Sequence, residues 1–272
     1  MKTSLALVFL LLSAGTASAQ TTSEASEASY EVVPVSEVQW EKLNPARGDQ
    51  SPQAGTLWGD RKGPVPTGFL AKFVDGFSSP PHIHNATYRA VVISGLIHND
   101  DPAAAEMWMP PGSFWAQPKG EVHITAAKGS HNVALVEIDK GPYLVKPVDA
   151  AFDSGERPVN VDVSNLVWVD PPGLPSADDG PKLAYLWGSL KGNEANGTFI
   201  KLPAGFQGTL HSHASTFRVV VIQGQLKTSD KVLGPGSYVG SKGERKHQIA
   251  AQKDQDVVLY VRSEGAYELR SR

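Results

Sequence analysis

One unusual stretch occurs twice in this chain, and such a tandem repeat restricts it to folds built from two like halves. The first copy reads GFSSPPHIHNATYRAVVISG from Gly76 to Gly95, and the second GFQGTLHSHASTFRVVVIQG from Gly205 to Gly224. Each places His-x-His ahead of a run rich in valine and isoleucine. In a strand, residues i and i+2 share a face, so the two imidazoles of a pair are expected to project together. The correspondence extends both ways. Leu57-Trp58-Gly59 falls on Leu186-Trp187-Gly188, Lys72 on Lys201 and Arg89 on Arg218. After a short deletion Pro111-Gly112-Ser113 meets Pro235-Gly236-Ser237, and His123 meets His247.

Of eight histidines, six fall at three paired positions, whereas His98 aligns with Lys227 and His131 with Gln255. A single histidine on an apolar strand is ordinarily a core or surface residue. Three positions present in both copies read better as ligands. Neutral imidazole suits Zn, Fe, Cu, Ni and Mn. Two imidazoles from one strand and one from a later strand cover one face of an ion and leave the rest open, as reactive sites require. The expected ligands are His82, His84 and His123, with His211, His213 and His247 in the second copy. The expected cofactor is a divalent transition metal, with Fe, Zn, Mn and Ni left open.

Short β-favouring runs cover Tyr30–Val38, Gly68–Val74, Tyr88–Ile97, Ala105–Met109, Val122–Ala126 and Asn132–Ile138. Gly, Pro, Asp and Asn clusters separate them, and no stretch keeps a 3.6-residue apolar period. This predicts an all-β sandwich or barrel. A polar connection then leads into the same texture again. The expected boundaries are 30–148 for the first domain, 149–158 for a linker and 159–272 for the second domain.

The first residues read differently. Lys2, an apolar run over Leu5–Leu12 and Ala17-Ser18-Ala19 have the pattern of a secretory signal peptide over 1–19. A Ser/Thr/Glu/Ala-rich spacer, expected to be disordered, follows over 20–29. The absence of cysteine excludes disulfides, thiol catalysis and a lipid anchor at the cleavage point, and it suits an oxidising exterior. The expected address is periplasmic or secreted, with no membrane anchor. A net charge of −3 gives no case for nucleic acid. The expected partner is a small-molecule ligand.

At the histidines the chain resembles a known family. Gly76-x5-His82-x-His84-x3-Tyr88-x6-Gly95 matches the first cupin motif, apart from Tyr88 where that motif usually has Glu. Gly112-x5-Pro118-x-Gly120-x2-His123 matches the second, apart from Ala127 where Asn is common. The second copy keeps Gly236 and His247 but has Lys242 and Glu244 in place of the motif's Pro and Gly. The chain thus resembles a bicupin, and in its detail it is similar to a double-cupin family of unknown function related to ChrR-like cupins. The resemblance implies two tandem cupin-type antiparallel β-barrels of the double-stranded β-helix, or jelly-roll, kind. Dimerisation through a barrel face is common in cupins, so a homodimer is a further expectation.

Tyr88 and Phe217 remove the motif's carboxylate ligand from both copies, which weakens an oxalate oxidase or decarboxylase reading. An ion on three neutral imidazoles keeps its full charge and favours an anionic or dicarbonyl compound. Some three-histidine cupins resembling this pattern are non-haem iron dioxygenases. The expected activity is therefore a metal-dependent dioxygenase or isomerase, the alternative being a non-catalytic cupin that binds or senses a small molecule or oxidant around a structural metal. Tyr88 and Glu106, whose counterpart is Asp230, are weak candidates for proton transfer. Arg89 and Arg218 are expected to make structural pairs on the opposite strand face. Trp108, Phe114 and Trp115, present only in the first copy, are expected to enclose its pocket.

Overall fold

The structure is a computed structural model and describes residues 30–229 and 231–272. The expected leader and spacer over 1–29, and Asp230, lie outside the described residues. Among the described residues, apart from four 3-10 helices, every regular element is a β-strand, and every pairing between strands is antiparallel. The first half builds a seven-stranded sheet, and the second a six-stranded and a five-stranded one. The expected strand over Ala105–Met109 is absent; only Met109 makes a bridge, to Ile97. Strands Gln53–Trp58 and Phe114–Gln117 carry Gly, Ala and Gln and so escaped the sequence pattern.

Alternation along one strand of each half divides the structure into three cores. In Tyr88–Asp100, residues Tyr88, Ala90 and Val92 face the interior of the first half, while Val91 and Ile93 face the second half. In Thr216–Gln223, Phe217, Val219 and Val221 face inward, and Val220 and Ile222 join Val91 and Ile93 between the halves. Arg89 and Arg218 lie on that same inter-half face. Arg89 pairs with Asp139 at 3.0 Å and lies over the ring of Trp187. Arg218 approaches Glu264 at 3.8 Å and lies over Trp58. Deeper still, Glu137 accepts hydrogen bonds from Arg262 at 3.1 Å and from Tyr260 at 2.8 Å.

The sheets cross the sequence boundary between the repeats. Tyr30–Val33 pairs with Tyr238–Lys242 of the second half, and Val159–Val161 pairs with Phe114–Gln117 of the first. Each half thus takes its outer strand from the segment that precedes the other.

The two interiors differ in one systematic way. Strand pairing makes Ala54, Ala71, Ala90 and Ala134 the counterparts of Leu183, Ile200, Val219 and Leu259. Each alanine withdraws two or three carbon atoms that fill the second half. The first half accordingly encloses a cavity of 470 Å³ that reaches Ala71, Phe69 and Trp115. The second half packs its equivalent space with aliphatic side chains.

Candidate metal centre

The cavity reaches His82 and His84 of the first histidine set, and His123 lies fully buried beside them. His82 lies opposite His123 in a closed antiparallel pair, with N–H···O distances of 3.1 and 3.0 Å. His84 sits in the short strand Ile83–His84, opposite Val145. Each imidazole is turned by a backbone carbonyl at its Nδ1: Pro80 at 2.9 Å for His82, Leu144 at 3.2 Å for His84 and Glu121 at 3.1 Å for His123. A carbonyl only accepts, so all three rings carry their proton on Nδ1 and present a bare lone pair at Nε2.

Those lone pairs converge. One ligand atom from each ring lies within 4.8 Å of the others, and the Nε2 atoms of His82 and His84 are 3.2 Å apart. Two nitrogens about 2.1 Å from a common ion and roughly 100° apart would be separated by about 3.2 Å. Burial keeps the rings neutral, as ligation requires. It lowers His82, lowers His84 well below its usual value with help from His123 and His82, and lowers His123 to about 3 with help from His82. The residues therefore fit a divalent metal.

Tyr88, at the place of the cupin carboxylate, is buried against the triad. It donates its O–H to Asn99 Oδ1 at 2.8 Å, and its oxygen lies 3.4 Å from His123 Nε2. Burial raises its pKa, so it stands there as a neutral phenol. Tyr143 was not found from sequence. It stacks on His84 with ring centres 4.4 Å apart, and its hydroxyl lies 3.2 Å from His84 Nε2. The repeat carried the signal, since Gly141 and Tyr143 have counterparts in Gly265 and Tyr267. Glu106 is not at the site: it is exposed and bonds Trp108 Nε1 at 2.9 Å beside Lys128. Of the three aromatics special to the first half, only Trp115 lines the cavity; Phe114 lies between the halves.

In the second half the structure does not bring His247 to His211 and His213. The group formed there is His211, His213 and Glu244, with Glu244 largely solvent-exposed and 2.8 Å from His211 Nε2. His247 instead bonds Ser241 Oγ at 3.0 Å and stacks on Phe217 inside the second half. Burial and the nearby Arg245 hold it neutral, at about 4.

Strand register explains the difference. In the first half Ser78 lies opposite Ala126 and His82 opposite His123, so one strand carries an extra residue. That bulge contains Pro80 and Pro81, which have no N–H to give a ladder. In the second half Thr209 and Leu210 stand at these positions and the ladder runs unbroken, with Gln207 opposite Ala250 and His211 opposite Lys246. His247 therefore lies opposite Leu210, a core residue. Opposed residues share a face, and one step of slip sends the histidine pair outward. Replacing Pro80 by Thr together with Pro81 by Leu should impose the unbroken register on the first half. Metal affinity is expected to fall roughly 100-fold or more, measured by competition with a chelator. Unchanged affinity would show that the prolines do not set the register.

The fold has solved relatives. A candidate dioxygenase from Nostoc punctiforme superposes with a TM-score of 0.68 at 14% identity, covering 89% of this chain and 86% of that one. AerE from Microcystis aeruginosa gives 0.55 at 12% identity, covering 85% and 98%. The oxalate decarboxylase OxdC of Bacillus subtilis gives 0.54 at 13%, covering 88% and 78%. At these identities the likeness is one of fold. The fold is of the cupin type, and its interior histidine triad could hold a divalent metal. The chain belongs to the family described as Domain of unknown function (DUF4437), whose model matches residues 31–270. No curated protein matches it.

Proposed function

We propose that this chain is a metal-dependent enzyme with one working centre, formed by His82, His84 and His123. Its substrate is a small anionic or dicarbonyl compound, and the reaction is an oxygen-using or proton-transfer step. In this reading the chain is a bicupin akin to the ChrR-related double cupins, working outside the cytoplasm. The observation that carries the proposal is the open side of the triad. Among the described residues no carboxylate joins the three nitrogens, and the cavity reaches His82 and His84 directly. A protein ligand closing the site would have favoured structure or sensing.

A divalent ion there would supply Lewis acidity and, if redox-active, a path for oxygen chemistry. The protein's own groups do the rest. The carbonyls of Pro80, Leu144 and Glu121 fix the ring orientations. With an ion held by His82, His84 and His123, the Tyr143 hydroxyl, 3.2 Å from His84 Nε2, would be free to donate to a substrate oxygen. Burial holds its pKa well above the usual phenol value, so it remains a donor through neutral pH. The cavity walls are largely apolar, formed by Phe69, Phe73, Phe77 and Val136.

The test uses the full chain without a histidine tag, reconstituted in turn with Fe(II), Mn(II), Ni(II) and Zn(II). Oxygen uptake and product formation are followed with 1,3-dicarbonyl compounds and 2-oxo acids. Metal-dependent turnover supports the proposal. Tight binding with no turnover under any ion would instead establish a binding or sensing cupin.

A further inference from the structure

The cavity has a depth axis that burial makes plain. Buried His84, Tyr88 and Trp115 form its floor, whereas the exposed Leu43, Asn44 and Arg47 form its rim. Among the described residues lining it, Arg47 is the sole charged side chain, because burial keeps the lining histidines neutral. Arg47 belongs to the 3-10 segment Pro45–Gln50, which is fixed at both ends. The Asn44 side chain caps Ala46 N at 3.2 Å, and Ser51 Oγ accepts from Asn44 N at 3.0 Å. The guanidinium makes no ion pair with any described residue. It lies over the face of Phe77, a cavity wall, 5.1 Å from the ring centre. An arginine resting on an aromatic wall keeps its forked N–H donors free for a planar anion.

We propose that Arg47 binds the charged end of the ligand at the rim, and that the ligand is a carboxylate with an aryl or alkyl body. The body lies against Phe69, Phe73 and Phe77, and the reacting end reaches the histidines. This deepens the functional reading above and rests on the cavity being the ligand site. It adds a second anchor point, remote from the metal, which selects among compounds that the metal alone would treat alike. An oxalate-sized dianion leaves most of 470 Å³ unfilled, whereas an arylalkanoate occupies the floor, walls and rim together.

The test measures binding of 4-phenylbutanoate and of its uncharged primary amide to the metal-reconstituted full chain, by quenching of tryptophan fluorescence. Wild type is expected to bind the carboxylate about tenfold tighter than the amide. Arg47→Gln should abolish that preference with amide affinity and metal content unchanged, and Arg47→Lys should keep part of it. Ala71→Ile, which installs the second half's residue, should abolish binding of both probes while the metal stays. A carboxylate preference that persists in Arg47→Gln would mean that the metal, not Arg47, reads the charge, and would overturn the proposal. Failure of both probes to bind wild type would overturn it as well. Arg47-dependent binding to a chain that holds no metal would leave this inference standing and remove the metal reading.

Discussion

Replacing His84 by alanine is expected to empty the chain of its tightly held metal, whereas replacing His247 should leave the metal content at the wild-type value. The two residues look alike in sequence, since each belongs to a set of three paired histidines. They differ in what surrounds the Nε2 lone pair. His84 Nε2 faces that of His82 at 3.2 Å within the convergent triad, and a cation relieves the opposition of the lone pairs. His247 Nε2 is occupied by Ser241, and among the described residues no second or third ligand lies with it. Elemental analysis after dialysis against a weak chelator should therefore give one ion per chain for wild type and His247→Ala, and a background value for His84→Ala. A second ion appearing only at high metal, surviving His84→Ala and lost in Glu244→Gln, would belong to the outward group of His211, His213 and Glu244. Loss of the tight ion in His247→Ala would refute the assignment.

Glu137→Leu is expected to destabilise the protein by about 3–5 kcal/mol, the cost of stranding a buried charge. Glu137 and Arg262 are 1% and 3% exposed, come from opposite halves and occupy equivalent strand positions. Arg262 keeps its charge: burial opposes it, but Glu137 and Asp139 more than offset this and raise its pKa. The same oxygen of Glu137 also accepts from Tyr260, whose hydroxyl in turn accepts from Trp187 Nε1 at 3.0 Å. Removing Glu137 leaves Arg262 with half-exposed Asp139 at 2.8 Å as its remaining carboxylate partner. The double variant Glu137→Leu with Arg262→Met should recover most of the loss, because two well-packed apolar groups replace a desolvated pair. Urea unfolding of the three variants and wild type measures both effects. A single-variant cost below about 1 kcal/mol, the range of exposed ion pairs, would show that this pair does not hold the halves together.

Much of the fold was legible because it depends on local patterning. The duplication, the all-β class and the opposite facing of Tyr88 and Arg89 follow from residue spacing and the two-residue period of a strand. So does the structural pairing of Arg89 with Asp139 and of Arg218 with Glu264 on the face opposite the interior. The interior volume was also written in the sequence, as Ala54, Ala71, Ala90 and Ala134 against Leu183, Ile200, Val219 and Leu259. Seeing it requires strand partners, because an alanine and a leucine in a β run are equally apolar until their facing is known. Glu106 was misplaced for a related reason: its run alternates plausibly, yet pairs with nothing except through Met109.

By itself the sequence determined which donors are available, imidazoles at three paired positions and no thiolate. Which set converges was decided only in the tertiary structure. Facing depends on register, and register depends on whether backbone N–H groups complete a ladder with a strand distant in sequence. Pro80 and Pro81 break that ladder and turn His82 and His84 into a cavity. Thr209 and Leu210 complete it and turn the same motif away from the interior, with His213 exposed and His211 covered beside Glu244.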